Sequence, residues 1–405
     1  MSKNAEMLAR AGKTLMGNVS RFPVVFSKGR GSSLYDVDGK EYLDFLTGIS
    51  VESLGHGNPY LTKAIQEQAD KLLHVSNYFY TEEQIIAGEM LCDYAGMDKV
   101  FFCNSGAEAN EAAIKLARKY GREKLGGRFE IITAYRSFHG RTLGALAATG
   151  QPRYHEAFRP LPEGFAYADF NNIKTWRDRI SDRTCALMVE PVQGEGGVYP
   201  ATESFMHGLK ELCEGKKLLL IFDEVQTGMA RTGKPFAWQH WGVRPDILTT
   251  GKSLGGGIPI GAMMCTDECD FFTPGDHSTT IGGGGAAWAA AIEVINQLKE
   301  HALAQRAWKL GETFKAVFHQ WREELRVIKE IRGMGLMLAV ELTVPAKPVA
   351  RQCLEQGLIV NAVSENAIRM LPPLLLSEKE MKDGLGILYG VLKEQQEMKR
   401  GGSNK

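Results

Sequence analysis

The chain has 405 residues, 44% of them apolar, and its 48 basic residues balance 48 acidic ones. A chain of this length can form about two or three domains, and a formal net charge of zero gives no electrostatic reason to expect nucleic acid or a membrane as partner. The seven cysteines lack metal-ligand spacing, and no apolar run approaches the roughly 20 residues of a membrane helix. We therefore expect a cytoplasmic globular protein with reduced thiols and no metal site.

The N-terminal part of the chain predicts a small sheet followed by two helices. Residues 33–45 alternate apolar and polar around Asp38-Gly39, which is typical of a β-hairpin. From Asn58 to Tyr94 two amphipathic helical patterns follow, with a turn near Tyr78.

The middle of the chain predicts an α/β sheet. Between Val100 and Ile260, short apolar runs alternate with polar or helical segments, a rhythm typical of parallel strands joined by helices. A glycine-rich bend at 282–285 leads into one long helical stretch from Ala286 to about Trp321, a strand-like run at 331–342 and a last helix from Ser377. We expect an N-terminal segment, residues 1–55, that joins the small domain, a large domain over 56–285 and a C-terminal small domain over 286–405.

An acid and a lysine follow two neighbouring predicted strands. Residues 218–222 form an uninterrupted apolar run that ends at Asp223, and residues 247–250 lead to Lys252. In open α/β sheets ligands bind outside the carboxyl ends of the strands, so both side chains would face one cleft. Pyridoxal 5′-phosphate (PLP) needs a lysine to hold it as a Schiff base and an acid to keep its pyridine nitrogen protonated. Taken alone, the two residues are equally compatible with a helix cap and a solvated lysine.

The segment after the strand at 100–104 suits a phosphate group. Ser105 and Glu108 have the spacing of a capping box, so Ser105 is expected to cap the following helix. Gly106 at the first turn leaves N–H groups pointing outward with the helix dipole behind them, which favours an anion. The two interpretations are compatible.

Two further segments offer groups for a planar ligand and a charged substrate. Phe138 follows a predicted strand, where its ring can lie flat on a planar ligand, and Arg141 offers a fork for a carboxylate. The alternative is a core aromatic residue and a surface arginine. Glu195, in a glycine-rich loop, is either a solvated charge or the partner of a later arginine, Arg369.

Rival motifs fail on their spacing. The run that ends in Gly251-Lys252-Ser253 resembles a nucleotide-binding P-loop, but that motif requires glycine where Asp246 stands. Gly333-Met334-Gly335 lacks the third glycine of a dinucleotide site, and no HExxH or CxxC spacing occurs. Metal and nicotinamide chemistry are therefore not expected.

Taken in order, the segments form a recognisable set. It comprises Ser105-Gly106-Ala107, Phe138-His139-Gly140-Arg141-Thr142, Glu190-Pro191, Asp223-Glu224-Val225-Gln226-Thr227-Gly228 and Lys252. This set resembles the class III, ornithine-type aminotransferases of PLP fold type I, and the resemblance covers nearly the whole chain. It implies an α/β fold in which a large domain with a mostly parallel sheet is joined to a smaller α+β domain.

The resemblance also implies roles for the matching residues. Lys252 corresponds to the Schiff-base lysine and Asp223 to the catalytic partner of the pyridine nitrogen. The other implied cofactor contacts are Ser105, Gly106, Ala107, Phe138, Val225, Gln226 and Thr280. The implied substrate contacts are Arg141, Glu195, Thr279 and Arg369.

One segment departs from the family pattern. Where the family has HGSTFGGNP, this chain reads His277-Ser278-Thr279-Thr280-Ile281 followed by four glycines. Thr279 then takes the place of a substrate-contacting serine, and Thr280 that of a threonine that reaches the PLP phosphate of a neighbouring subunit, which implies a homodimer. Glycine at 284 and 285 is expected to loosen this loop, because glycine carries more backbone entropy.

Within the class the chain is most similar to acetylornithine aminotransferases. The implied reaction moves the terminal amino group of N-acetylornithine to 2-oxoglutarate, in arginine biosynthesis. Succinylornithine, ornithine or 4-aminobutyrate as donor, or an aminomutase reaction, remain alternatives. A PLP-binding protein without turnover is disfavoured, because such a protein has no need of Lys252, Asp223 and Arg141 together. The resemblance further implies that Glu195 pairs with Arg369 in one half-reaction and releases it in the other.

Overall fold

A computed structural model describes residues 2–402 of the chain, with side chains up to residue 399. The helices are α1 (Lys3–Thr14), α2 (Thr47–Ser50), α3 (Pro59–Lys71), α4 (Glu82–Ala95), α5 (Gly106–Lys124), α6 (Leu143–Ala148), α7 (Ile173–Arg179), α8 (Glu203–Lys216), α9 (Gly284–Glu300), α10 (Leu303–Glu324), α11 (Ala346–Glu355) and α12 (Glu378–Gly402). The strands are β1 (Phe26–Arg30), β2 (Ser33–Asp36), β3 (Glu41–Asp44), β4 (Lys99–Cys103), β5 (Glu130–Ala134), β6 (Phe165–Ala168), β7 (Thr184–Val189), β8 (Val192–Gln193), β9 (Tyr199–Pro200), β10 (Leu219–Asp223), β11 (Ile247–Thr250), β12 (Gly261–Cys265), β13 (Ile328–Met334), β14 (Met337–Leu342), β15 (Leu358–Ile359), β16 (Asn361–Ala362) and β17 (Ala367–Met370).

The larger of two compact units contains Tyr60–Gly311 and Gly333–Met337. Its centre is a seven-stranded sheet with the order β4-β12-β11-β10-β7-β5-β6. β10 is parallel to β11 and β7, and β5 is parallel to β7 and β6, whereas β12 is antiparallel to both of its neighbours. The sheet is therefore mostly parallel, as predicted.

Helices cover both faces of this sheet. Along β10, Ile221 packs into a core with α5, and its neighbours Leu220 and Phe222 pack into another core with α8, because successive strand residues point to opposite faces. Burial on both faces explains why the strand reads as a continuous apolar run. Among the described helices, none is long and apolar enough to cross a membrane.

The smaller unit contains the chain up to Pro59, Glu312–Arg332 and the chain from Leu338 onwards. It holds two four-stranded sheets, with the orders β1-β2-β3-β15 and β13-β14-β17-β16. The N-terminal strands thus form a sheet with β15 from the C-terminal part of the chain.

The predicted hairpin is confirmed. β2 and β3 pair antiparallel, with Tyr35 opposite Glu41. In the turn, Asp36 Oδ1 accepts hydrogen bonds from the backbone N–H groups of Asp38 and Lys40, each at 2.9 Å. The two helices predicted over residues 58–94 are also present, as α3 and α4.

The prediction of one long helix from Ala286 to about Trp321 is wrong. The segment forms α9 and α10, and the chain turns at Ala302, whose φ is +48°. α9 packs on α4 and on the 3-10 turn Lys252–Gly255, so residues 286–311 belong to the larger unit rather than to the small domain expected for 286–405. The strand-like run at 331–342 is likewise divided between β13 and β14, with Gly335 at φ +54° between them.

Candidate active site

A cavity of about 270 Å³ lies at the carboxyl end of the central sheet. Asp223, the last residue of β10, and Lys252, which follows β11, both line it. The two strands are parallel neighbours, so their ends meet at the same edge of the sheet. Lys252 has a φ of +45°, a conformation that residues other than glycine rarely adopt and that is concentrated at functional sites.

The Asp223 carboxylate is buried and held from three directions. Its Oδ2 accepts a hydrogen bond from Asn110 Nδ2 at 2.7 Å and lies 2.7 Å from His139 Nδ1. Its Oδ1 accepts a hydrogen bond from the Val225 N–H at 3.0 Å. These contacts leave the carboxylate little freedom to rotate in the cavity.

Asn110 connects the elements around Asp223. It lies in the first turns of α5 and is 1% exposed. Besides its bond to Asp223, its amide donates to the His139 carbonyl at 2.7 Å and accepts from Thr249 Oγ1 of β11 at 2.7 Å. Asn110 is not among the residues predicted from the sequence. The sequence feature that could have indicated it is a single amide side chain among the alanines of an otherwise apolar face of α5.

The N-terminus of α5 forms another wall of the cavity. Ser105 Oγ accepts a hydrogen bond from the Glu108 N–H at 3.2 Å, which confirms the predicted helix cap. Gly106 and Ala107 line the cavity, and their N–H groups have no acceptor within the described part of the chain. A Cβ on Gly106 would lie 2.5 Å from Val225 Cγ1, so only glycine permits this approach. Free N–H groups at a helix N-terminus suit a phosphate.

Phe138, Val225, Gln226 and Arg141 also line the cavity. The Arg141 guanidinium lies 5.4 Å from the centre of the Phe138 ring and 4.1 Å from that of Tyr154. Arg141 makes no ion pair with any carboxylate among the described side chains. Its charge therefore remains available for a substrate carboxylate.

Two buried glutamates have different tasks here. Glu190 lines the cavity and accepts hydrogen bonds from the N–H groups of Phe138 and Gly194, and burial together with the nearby Asp223 raises its pKa to about 7. Glu224 does not line the cavity. It accepts from the N–H groups of Ala237 and Trp238, and burial raises its pKa to about 7.

The model of the family "Aminotransferase class-III" matches residues 15–392. The chain belongs to the class-III aminotransferases. The acetylornithine aminotransferase of Caldanaerobacter subterraneus subsp. tengcongensis is 46% identical, over 96% of this chain and 99% of that protein. That of Methanocaldococcus jannaschii is 47% identical, over 90% and 92%. A succinylornithine transaminase of Salmonella paratyphi A is 44% identical, over 90% of each chain.

Solved structures of this class share the fold. The ornithine aminotransferase of Toxoplasma gondii superimposes with a TM-score of 0.94 at 33% identity, covering 98% of this chain and 97% of that chain. A further structure of that enzyme, with a TM-score of 0.94, 33% identity and 98% and 96% coverage, has PLP at partial occupancy in its active site. An acetylornithine aminotransferase from Elizabethkingia anophelis has a TM-score of 0.87 at 32% identity, covering 97% of this chain and all of that chain, 100%. The predicted fold class is confirmed.

The cavity of this class-III aminotransferase has the groups that PLP requires. The free N–H groups of Gly106 and Ala107 suit its phosphate, and the fixed Asp223 carboxylate suits its ring nitrogen. Lys252 opens on the same cavity. Among the described residues, no group of three or more His, Cys, Asp or Glu side chains could hold a metal ion.

Five predicted residues of this aminotransferase do not line the cavity. One is Ser105, which caps α5 next to the cavity residue Gly106. Thr279 lines a separate groove, where its hydroxyl accepts from Asn104 Nδ2 at 3.0 Å, and Thr280 is exposed. Glu195 is half-buried in the larger unit. Arg369 lies buried in β17 of the smaller unit, where its Nε donates to an asparagine side chain at 3.2 Å. Their predicted roles stay predictions.

Proposed function

We propose that this aminotransferase binds PLP in the cavity between Asp223 and Lys252 and transfers the terminal amino group of N-acetylornithine to 2-oxoglutarate, in arginine biosynthesis. The observation that carries the proposal is that an acid and a lysine follow neighbouring strands of a class-III chain and line one cavity. The PLP reported for the Toxoplasma gondii enzyme supports the cofactor, and the acetylornithine aminotransferases at 46% and 47% identity support the donor.

When bound, PLP supplies an electron sink for the substrate carbon that loses its proton. The Lys252 amine is the group that would take up this proton and return it, because it is the lysine that lines the cavity. Asp223 would accept a hydrogen bond from the ring nitrogen, with its orientation fixed by Asn110 and Val225. Phe138 and Val225 would flank the ring.

Other residues would hold the remaining polar groups. The N–H groups of Gly106 and Ala107 would bind the phosphate together with the cap residue Ser105. Gln226 would lie beside the ring hydroxyl. Arg141 would bind the substrate carboxylate farthest from the reacting carbon, because its guanidinium forms no ion pair among the described side chains.

A donor panel with 2-oxoglutarate tests the proposal. We expect kcat/KM to be highest for N-acetylornithine, and a Lys252→Ala variant to lose turnover and the borohydride-reducible link to PLP. A specific observation supports a second donor: the Salmonella succinylornithine transaminase is 44% identical. If kcat/KM were highest for succinylornithine, ornithine or 4-aminobutyrate, that amine would replace N-acetylornithine as the proposed donor. A Lys252→Ala protein that still forms the reducible link would overturn the lysine assignment.

The proposed substrate residues Glu195 and Arg369 are tested by single-turnover kinetics, which separate the two half-reactions. If Glu195 shields the charge of Arg369 from the first donor, Glu195→Ala slows the half-reaction with N-acetylornithine more than that with glutamate. If Arg369 binds the α-carboxylate of glutamate, Arg369→Ala has the opposite effect. Equal losses in both halves for both variants would remove the pair from the mechanism.

We also propose that the enzyme works as a cytoplasmic homodimer, without nucleic-acid or membrane partners. Free cysteines fit a reducing compartment. Support for assembly comes from an apolar face of the larger unit, which we call the aromatic face. Its exposed members are Leu72, Leu73, Tyr78, Phe79, Tyr80 and Ile281. Monomers rarely expose so contiguous a set of large apolar side chains.

A further inference from the structure

A second concave site lies in the larger unit, away from the proposed active site. It is a groove of about 890 Å³ between the outer face of α5, residues 126–129 and the segment around Phe272 and Asp276. It shares no lining residue with the cavity that contains Lys252. Its volume falls in the range of roughly 300–1,000 Å³ that is usual for small-molecule sites.

The groove is strongly cationic. α5 places Lys115, Arg118, Lys119 and Arg122 on one face, since residues three and four apart are neighbours on a helix, and Arg128 adds a fifth positive charge. Two carboxylates also line the groove, Glu123 and Asp276, and both form ion pairs with Lys119.

The other four cations have no such partner. Lys115, Arg118, Arg122 and Arg128 form no ion pair with a carboxylate among the described side chains. Like charges at this density repel one another, and an anion in the groove relieves that repulsion.

Arg118 distinguishes the groove from an ordinary solvated helix face. Its guanidinium lies over the Phe165 ring at 5.1 Å, and burial lowers its pKa. Its Nε is buried without an acceptor in the described part of the chain, while Nη2 donates to the Glu163 carbonyl. A partly dehydrated charge attracts an anion more strongly than one fully in water, because the local dielectric is lower.

The groove also presents flat apolar surface. Phe129, which is 38% exposed, lines it next to Arg118, and Phe272 lines it beside Asp276. An exposed aromatic ring beside arginines is a combination that binds phosphorylated ligands carrying a heterocyclic base, through stacking and charge-assisted hydrogen bonds. Phe129 beside Arg118 provides this combination.

We propose that this groove, the α5 groove, binds a nucleoside di- or triphosphate. Its phosphates contact Arg118, Arg122 and Arg128, and its base lies on Phe129. The proposal is independent of the aminotransferase reaction, because none of these residues lies in the proposed active site.

Isothermal titration calorimetry of the PLP-loaded enzyme with ATP, without divalent metal ions, tests the proposal. With PLP bound, the N–H groups of Gly106 and Ala107 are occupied and cannot account for phosphate binding. We expect one ATP per chain, weaker binding of inorganic triphosphate, and loss of affinity as NaCl rises, because salt screens exposed charges. No binding of ATP overturns the proposal, and triphosphate binding as tight as ATP overturns its nucleotide part.

Charge reversals locate the site. Arg122→Glu and Arg128→Glu are each expected to weaken ATP binding by about tenfold or more, since each replaces an attraction with a repulsion. Both side chains lack hydrogen bonds and ion pairs to the described residues, so the variants should fold. Arg177→Glu is the matched control: it makes the same charge change on α7, which packs on the other face of the sheet. Unchanged ATP affinity in both groove variants, or an equal loss in Arg177→Glu, would contradict the α5 groove as the site.

Discussion

Asp223 and Glu224 are adjacent carboxylates whose surroundings assign them different tasks. Asp223 faces the cavity and accepts from Asn110 and the Val225 N–H, so its acceptor geometry is set before any ligand arrives. Glu224 points away from the cavity, and its carboxylate accepts hydrogen bonds from the backbone N–H groups of Ala237 and Trp238. A carboxylate that is already fixed loses little entropy when it binds a ring nitrogen.

The first prediction replaces Asp223 by asparagine, which keeps the shape and removes the charge. A hydrogen bond to a charged group contributes about 1.5–3 kcal/mol, so kcat is expected to fall by roughly tenfold to a hundredfold. Asp223→Asn is expected to retain PLP, because the phosphate contacts at α5 are unchanged. The measurements are kcat at saturating substrates and the PLP dissociation constant. A variant with normal kcat would exclude Asp223 from the reaction.

The second prediction concerns Asn110 as a positioning residue. Asn110→Ala removes one donor to Asp223 and leaves the Thr249 hydroxyl without its acceptor, so kcat is expected to fall by about tenfold and the free energy of unfolding by about 1–3 kcal/mol. Asn110→Asp is expected to lower kcat further, since it places a second carboxylate against Asp223.

Thr133→Val is the control for Asn110. It also removes a buried hydrogen bond, from Thr133 Oγ1 to the Ala148 carbonyl, but outside the cavity. We expect it to lower stability and leave kcat unchanged. If Thr133→Val and Asn110→Ala lowered kcat equally, Asn110 would have only a structural role.

The position of the cavity could be predicted from the sequence where an apolar strand ends in a polar residue. β10 is buried on both faces, and its continuous apolar run ends directly at Asp223. The short buried strand β11, Ile247–Thr250, ends two residues before Lys252. Asn110 could not be selected in this way, because its role depends on the packing of α5 against β11 and not on its sequence neighbours.

Elements without a local signal were missed. β6 is only four residues long, Phe165–Ala168, which is too short to show a clear strand pattern in the sequence. Its parallel pairing with β5 makes it a strand. The break between α9 and α10 contains no glycine or proline, and Ala302 adopts φ +48° there. Both features depend on tertiary contacts, which override local propensity.

The third prediction concerns Glu224, which follows β10 and accepts hydrogen bonds from the N–H groups of Ala237 and Trp238. Burial raises the pKa of Glu224 from 4.5 to about 7, so between these values the folded state holds a proton that the unfolded state releases. The free energy of unfolding therefore falls as pH rises from about 4.5 to about 7. Glutamine at position 224 cannot ionise. We therefore expect the free energy of unfolding of Glu224→Gln to fall less over this pH range, by on the order of 1–3 kcal/mol.

Denaturant unfolding of the PLP-free protein at several pH values measures this. Glu224→Gln should be less stable than the unsubstituted protein at low pH, because an amide cannot accept from both N–H groups. Glu211→Gln, on the exposed side of α8, is the control and should leave the pH dependence unchanged. A Glu224→Gln protein with the same pH slope as the unsubstituted chain would contradict the assignment.

The aromatic face is continuous with the loop that carries Thr279 and Thr280. His74 Nε2 lies 2.8 Å from the Thr280 carbonyl, and Asn77 donates to the Thr279 carbonyl. A glycine is required at 285, where a Cβ would lie 2.4 Å from the Leu72 carbonyl. The loop is therefore anchored to the segment whose next residues are the exposed Tyr78 and Tyr80, so covering that segment would also order the loop.

The last prediction follows from this connection. Tyr78 and Tyr80 are 90% and 88% exposed, so replacing both by glutamate costs the isolated chain little but places charges in the proposed dimer interface. We expect sedimentation velocity to show a dimer for the unsubstituted chain and a monomer for Tyr78→Glu/Tyr80→Glu. Activity should fall with dissociation, since the family resemblance implies that Thr280 reaches the PLP phosphate of the neighbouring subunit. Met398→Glu, an exposed apolar residue of α12, is the control and should stay dimeric and active. A monomer with full activity would contradict an active site that uses residues of both subunits. An intact dimer in the double variant would exclude the aromatic face as the interface.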